Sequence, residues 1–214
     1  MDPVSIIALT LGVGWASGIN LYAAMLTLGV MHNMGFIVLP PDLQIVAMPI
    51  VMFAAGFMYV VEFFADKIPG IDSGWDAIHT FIRIPAGAIL AAQAVGDVHP
   101  AATLAAGLIG GAFAATSHLT KATTRLAINT SPEPFSNWTA SVLEDVAVIG
   151  GLWLALQHPY LFLALLVAFI ALVAWLLPKL IRGLRALFTK IAGWFRSTPP
   201  AVPPPAVPTP PPAG

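Results

Sequence analysis

The chain has 214 residues, of which 58% are hydrophobic and 9% charged, and its mean hydropathy is +0.86. A soluble domain carries roughly 25% charged residues, so this composition excludes an ordinary soluble protein and predicts an all-α, polytopic membrane bundle. The absence of cysteine excludes disulfides, thiolate metal sites and cysteine nucleophiles.

Six apolar stretches come close to the length of about 20 residues that crosses a bilayer. They are residues 4–31, 45–64, 77–96, 100–120, 139–157 and 159–178. The third and fifth stretches are the weakest, because charged residues occupy their first turns. We therefore predict about six transmembrane helices in a domain that comprises residues 1–178.

The first span carries small and polar residues in the middle of its apolar sequence. Gly14, Gly18 and Asn20 lie there, and glycine in a helix interior costs roughly 1 kcal/mol. One interpretation is a helix broken between Gly14 and Asn20, which exposes its backbone to a site as in some transporters. The other is close helix packing through small residues.

Lysine and arginine are confined to one side of the six predicted spans. The other side receives Asp42, Asp97 and two His-Pro turns. By the positive-inside rule the basic side is cytoplasmic, and an even number of spans places both termini there. The basic residues are Lys67, Arg83, Lys121, Arg125, Lys179, Arg182, Arg185, Lys190 and Arg196.

A stretch that begins as a loop from proline to tryptophan occurs twice, in residues 69–91 and 132–154, with Trp75 aligned on Trp138. Both copies begin on the same side of the membrane, so the pattern predicts a parallel internal repeat with units of about 45–98 and 100–158. The same alignment places the acid Glu62 on the base Arg125.

Charged side chains fall inside the predicted spans, where an ionisable residue is a candidate for function. Each costs roughly 2.5–3.5 kcal/mol at the bilayer centre on insertion scales, so each needs a partner or a water-filled cavity. Asp72, Asp76 and Glu133 read instead as solvated loop or capping residues. The candidate substrate-binding or gating residues are Asn20, Glu62, Asp66, Arg83, His118, Lys121, Arg125, Glu144 and Asp145.

The sequence changes character after the sixth span. Residues 179–197 predict a basic amphipathic helix, separated from the span by a break at Pro178, that lies on the bilayer and contacts anionic lipid head groups through residues 179–196. The alternative is a solvated extension of span six. Residues 198–214 are rich in proline and predict a disordered tail.

Three segments carry a resemblance to a known family: GINLYAA, VEFFADKIPGIDSGWDAIHTFIRIPAGAILA and NTSPEPFSNWTASVLEDVAV. They are similar to an uncharacterised bacterial membrane-protein family, catalogued as domain of unknown function 4126, over about residues 4–178. The resemblance implies a multi-pass protein of the bacterial inner membrane. It brings no assigned activity and no catalytic residue.

The buried charges favour a transporter over two other classes. Arg83 and Arg125 suit a carboxylate or an anionic head group, and neighbouring Glu144 and Asp145 suit a shared proton. They predict transport of a small or amphipathic anionic solute or lipid, with proton coupling as an option.

A membrane scaffold with purely structural ion pairs is the first alternative. A metal-dependent intramembrane enzyme using His79, His118 and the carboxylates is the second, and it lacks any HExxH or GxSxG motif. We expect no metal, cofactor or nucleic-acid partner, and a homo-oligomer is left open.

Overall fold

The computed structural model describes residues 1–68, 70–130 and 134–195. These residues form six α-helices and one short 3₁₀ helix, and they contain no strand, so the all-α prediction is confirmed. The helices are α1 (Pro3–Asn33), α2 (Pro49–Ala65), α3 (Ile71–Ala94), α4 (Pro100–Ile128), α5 (Pro134–Gln157) and α6 (Pro159–Phe195), and the 3₁₀ helix is Pro41–Ala47.

Proline begins every α-helix except α3. Its fixed φ suits the first turn, where its missing N–H would have had no partner. Asp2 also caps α1, because its Oδ1 accepts from the backbone N–H groups of Val4 at 3.0 Å and Ser5 at 3.1 Å. Hydrogen bonds from Ser5, that of its hydroxyl foremost, hold the pKa of the Asp2 carboxyl below its ordinary value.

Four helical segments are long and apolar enough to cross a membrane, judged by length and composition within the described residues. They are Pro3–Asn33, Pro100–Ile128, Phe135–Gln157 and Pro159–Lys190. The 3₁₀ helix and α2 meet at 58° and make a fifth candidate if they are one bent span. The candidate spans therefore number four or five, below the predicted six. Helix α3 is not among them, because its first half carries many polar residues.

Helix α1 is interrupted at Asn20, whose φ of −146° and ψ of 98° are not helical. We call residues 3–19 α1a and residues 21–33 α1b. Contacts with α5 give the direction of α1a. A Cβ on Gly12 would lie 3.1 Å from the Cβ of Ala155, whereas Asn20 hydrogen-bonds to Asp145. Helix α1a therefore runs antiparallel to α5.

Helix α1b does not continue in that direction but turns back. Val30 and Met31 line the same cavity as Ile149 and Trp153, whereas a continued helix would have passed Asp145 toward the start of α5. At the other end of α1a, Met1 and Ile6 line a cavity with Val38, Leu39, Pro40 and Val95. The start of α1 thus lies beside the segment that follows its end, and α1 is a re-entrant helical hairpin.

The remaining helices alternate in direction. The α2–α3 and α4–α5 connections lie at the end of the bundle where the charged residues gather, which we call the charged end. The α3–α4 and α5–α6 connections and both ends of α1 lie at the other end, which we call the far end. The N-terminus and the C-terminal end of α6 therefore lie at opposite ends of the bundle, whereas the location of both chain termini on one side stays a prediction.

Helices α1a, α3 and α4 pack closely through glycines. A Cβ on Gly14 would lie 2.7 Å from the carbonyl oxygen of Gly110, and a Cβ on Gly87 would lie 2.6 Å from the Cβ of Ala114. Side chains at these positions would force the helices apart. Both interpretations of the first span therefore apply, with close packing at Gly14 and the break at Asn20.

Helix α6 continues through Pro178 without interruption. The predicted break there is wrong, and residues 179–195 extend the helix. At 1.5 Å per residue its 37 residues span about 55 Å, well beyond the roughly 30 Å hydrocarbon core. The location of the extension on the bilayer surface stays a prediction, and the predicted tail at 198–214 lies outside the described residues.

Candidate functional site

Charged side chains from α2, α3, α4 and α5 meet inside the bundle near its charged end. Nearly all are shielded from solvent, and Glu144 is the most accessible, with 16% of its side chain exposed. We call this group the ion cluster. Its members are Glu62, Asp66, Asp76, Arg83, Lys121, Arg125 and Glu144.

The early start of α3 builds one wall of the ion cluster. Because the helix begins at Ile71, Asp72, Asp76, His79 and Arg83 follow one another at helical spacing on a single face. Asp72 is 0% exposed and Asp76 1% exposed. The prediction that these two are solvated is therefore wrong, while Glu133 lies outside the described residues.

Arg83 joins α3 to α2. Its Nη2 lies 2.6 Å from Glu62 Oε1, and its Nη1 lies 2.9 Å from Asp76 Oδ1. All three side chains are almost completely buried. Charge-assisted hydrogen bonds of this kind are short and strong, and they offset part of the cost of removing the ions from water.

Arg125 joins α4 to α5 in the complementary way. Its Nε and Nη2 donate to the two oxygens of Glu144 at 3.1 and 2.7 Å, a bidentate contact. Glu62, in the last turn of α2, thus pairs with a base on α3, and the base near the end of α4 pairs with an acid on α5. This exchange of charge follows the alignment of Glu62 with Arg125, although the internal repeat itself stays a prediction.

Lys121 lies between the two arginine pairs. Its Nζ donates to the backbone carbonyl of Ile19 at 3.2 Å, at the C-terminal end of α1a. The partial negative charge at a helix C-terminus attracts a cation. The ammonium also contacts four carboxylates: Asp66 at 3.0 Å, Glu62 and Glu144 at 3.4 Å, and Asp76 at 3.7 Å.

Asn20 connects the tip of the hairpin to α5. Its Oδ1 accepts from the N–H of Ala23 at 2.9 Å and so caps α1b. Its Nδ2 donates to Asp145 Oδ1 at 2.9 Å, and the Tyr59 hydroxyl donates to Asp145 Oδ2 at 3.0 Å. Asp145 thus receives hydrogen bonds from neutral groups, and it forms no salt bridge with any residue of the described part of the chain.

The two buried histidines occupy separate positions. His118 Nε2 lies 2.7 Å from Thr80 Oγ1, and its Nδ1 lies 3.3 Å from Arg83 Nη1. His79 stacks on Trp75 at 4.2 Å and lies 3.2 Å from the Tyr22 hydroxyl. Across residues 1–68, 70–130 and 134–195, no three His, Asp or Glu side chains are arranged to hold a metal ion. The geometry therefore gives the metal-enzyme alternative no support.

The best-defined cavities of the described residues are lined by residues outside the ion cluster. Five are described, and none of these five is lined by a member of the cluster. The charges of the cluster pair with one another, and the predicted cytoplasm-facing charged cavity stays a prediction.

Of the nine residues predicted as a site, six are members of the ion cluster, His118 contacts Arg83, and Asn20 and Asp145 hydrogen-bond to each other. Sequence reasoning missed Asp76 and Tyr59, which also contribute. Asp76 lies seven residues before Arg83 and Tyr59 three before Glu62, and both spacings place the residues on one helix face. Helical spacing from the recognised charges would have indicated both.

A bundle of long apolar helices around buried ion pairs is the architecture of an integral membrane protein. Within that class, the family model for the domain of unknown function DUF4126 matches residues 7–179. The chain belongs to this family, which confirms the resemblance carried by its sequence segments. No curated protein matches the chain, and no solved structure matches it.

Proposed function

We propose that this protein is a membrane transporter for a small or amphipathic anion, in which the α1 hairpin and the ion cluster form the gate. One observation carries the proposal. The tip of the hairpin contacts Lys121 through the Ile19 carbonyl and Asp145 through Asn20. Broken helices whose ends point at buried charges near the bilayer midplane are a recurrent device of transporters.

The proposed topology has five crossings, α2 to α6, with α1 entering and leaving at the far end. The Lys and Arg residues from Lys67 to Lys190 lie on the half of the bundle toward the charged end, which the positive-inside rule assigns to the cytoplasm. We place the protein in a bacterial inner membrane, with its C-terminus in the cytoplasm and its N-terminus on the opposite side. Helices α2–α3 and α4–α5 would be the two units of the repeat.

The charge balance of the site supports proton coupling. The cluster and Asp145 together hold five carboxylates but three bases, Arg83, Lys121 and Arg125. Excess negative charge in a medium of low dielectric constant favours protonation of one carboxyl group. Asp145 is the candidate proton carrier, because its hydrogen bonds come from neutral groups.

Anion binding follows from the most exposed member of the cluster. Glu144 holds Arg125 with both oxygens and also contacts Lys121. An incoming carboxylate or phosphate has the same acceptor geometry. It would displace Glu144 from these two bases, and the gate would open on the charged end.

The experiment uses purified protein in vesicles of phosphatidylethanolamine and phosphatidylglycerol. One arm measures proton flux with internal pyranine after inorganic phosphate is added, and the other measures transbilayer movement of a fluorescent phosphatidylglycerol by dithionite quenching. Asp145→Asn should abolish the active arm. Asp97→Asn, an exposed carboxylate at the far end, should leave it unchanged. Flux equal to that of empty vesicles in both arms would reject the proposal.

A scaffold is the second candidate, favoured by the pairing of all three bases of the cluster within the protein. Buried ion pairs can be replaced by apolar residues without loss of stability when both partners are removed together. A scaffold predicts that such a double replacement at Arg125 and Glu144 keeps the cellular phenotype, and that deletion of residues 179–214 removes it. A transporter predicts the reverse.

A further inference from the structure

An apolar cleft of about 490 Å³ lies between α1b and α5. Its walls include Leu26, Val30 and Met31 from α1b and Ile149 and Trp153 from α5. The hydroxyl of Thr27, which also lines the cleft, donates to the Ala23 carbonyl at 2.7 Å. The volume lies within the range of small-molecule sites, and the walls offer no charge to a ligand.

Gly150 forms part of this cleft without any packing reason to be glycine. A Cβ at this position would meet no atom within 4 Å. Glycine is the least favourable residue in a helix interior after proline. The next residue differs, because a Cβ on Gly151 would lie 2.5 Å from Trp15 Cζ3. Gly151 permits close packing, whereas Gly150 leaves space open.

Gly150 borders two cavities. Besides the cleft, it lines a second cavity of about 330 Å³ together with Trp15 and Phe162. A side chain at position 150 would extend into open space beside these cavities.

The cleft opens sideways and ends near the gate. Trp153 and Phe36 at its rim are exposed on the outer surface of the bundle, where lipid tails surround a membrane protein. Ile149, which also lines the cleft, lies one helical turn beyond Asp145, and α1b is the segment that Asn20 caps. A molecule in the cleft thus contacts the hairpin that closes the site.

We propose that the cleft binds the hydrocarbon chain of a phospholipid drawn from the leaflet at the far end. This inference rests on the proposed transport function and names its substrate class, an amphiphile whose chain lies between α1b and α5. Uncharged walls accept the chain and leave the head group outside the cleft. Bound chain would hold α1b against α5 and so couple lipid entry to the hairpin.

The test uses a phosphatidylglycerol with a diazirine at mid-chain, photolysed in vesicles that contain the full-length protein. Wild-type protein should be labelled on peptides covering residues 26–36 and 149–153. Gly150→Phe fills the cleft and should lower that labelling by about tenfold or more, as the loss of buried chain methylenes requires. Gly183→Phe is the matched control, because a Cβ there also meets no atom within 4 Å, and its labelling should equal that of wild type.

Three outcomes would overturn the cleft proposal: equal labelling of Gly150→Phe and wild type, wild-type label spread evenly over exposed α6, and lipid transport that survives Gly150→Phe. If Gly150→Phe does not fold, Gly150→Val provides the same comparison with a smaller side chain. The binding readout needs no transport. Lipid bound in the cleft without any flux would overturn the transport proposal alone and leave this site standing.

Discussion

The side-chain amide of Asn20 donates to the carboxylate of Asp145 at 2.9 Å, which ties the tip of a broken helix to the middle of α5. The same side chain caps the helix that follows the break. One residue thus ends α1a, starts α1b and joins the tip of the hairpin to α5. A membrane-embedded backbone that leaves the helix needs such partners, because lipid supplies none.

Asn20→Asp tests one of the two hydrogen bonds that this side chain makes while keeping the other. The substituted carboxylate would still accept from the Ala23 N–H and cap α1b, but in its ionised form it cannot donate to Asp145 and repels it. We expect little flux above neutral pH and partial recovery at acidic pH, where a protonated carboxyl group donates again. Flux measured against pH in vesicles checks this prediction.

Asn20→Ala is the companion variant for that profile. It removes both hydrogen bonds and carries no titratable group, so its loss of flux should not depend on pH. A similar acid recovery in Asn20→Ala would contradict the role given to the hydrogen bond between positions 20 and 145.

The re-entrant path of α1 predicts which residues face the same compartment. The sequence has no cysteine, so single cysteines can be read without background. From one side of the membrane, an impermeant thiol reagent should react with Asp2→Cys, Met34→Cys and Asp97→Cys. From the other side, it should react with Thr130→Cys and Thr189→Cys. Labelling of positions 2 and 34 from opposite sides would mean that α1 crosses the bilayer.

Substitution of Arg83 should destabilise the protein more than substitution of any surface arginine does. Arg83→Met leaves Glu62 and Asp76 without their closest cation, and breaking a buried pair costs about 3–5 kcal/mol. Adding Glu62→Gln should recover part of this free energy, because one unpaired charge is then removed. Unfolding of the purified protein in detergent measures both values.

Arg182→Met is the control for that series, since Arg182 is exposed on the extension of α6. Its free energy of unfolding should stay within about 0.5 kcal/mol of wild type. Additive effects of the substitutions at Arg83 and Glu62 would contradict a direct coupling between the two side chains.

Glycine positions should differ sharply in their response to alanine, according to what a new methyl group would meet. Gly14→Ala places a methyl group 2.7 Å from the Gly110 carbonyl oxygen, which is backbone and cannot rotate away, so we expect a loss of about 1–3 kcal/mol. Gly56→Ala meets only a Leu26 methyl group at 3.9 Å and should gain up to about 1 kcal/mol. Thermal unfolding of both variants measures the difference, and equal responses would contradict close packing at Gly14.

The sequence was sufficient to predict the class of protein and most residues of the candidate site. Composition indicated a helical membrane protein, and the cost of buried charge singled out nine residues that the fold brings together. Asp76 was missed because the hydropathy pattern placed the start of the third span at residue 77, although the helix begins at Ile71. The six residues before 77 looked like a solvated loop for that reason.

The path of α1 could not be read from apolar content. Hydropathy measures whether a segment tolerates lipid. A hairpin that is buried among other helices can be as apolar as a helix that crosses the bilayer. The polar Asn20 marked the place of the break, but only its partner on α5 decides the direction of the chain beyond it. That partner is 125 residues away, so no local pattern contains the information.

The same separation constrains how the protein is made. Helix α1 leaves the ribosome before the helices that it packs against, yet most of it is buried in the finished bundle. Its neighbours α3, α4 and α5 are synthesised later, and the tip has no acceptor until Asp145 exists. Insertion in chain order therefore cannot complete this fold. The first segment must wait at the membrane for its later neighbours, and a chain truncated before α5 lacks the hydrogen bond that joins Asn20 to Asp145.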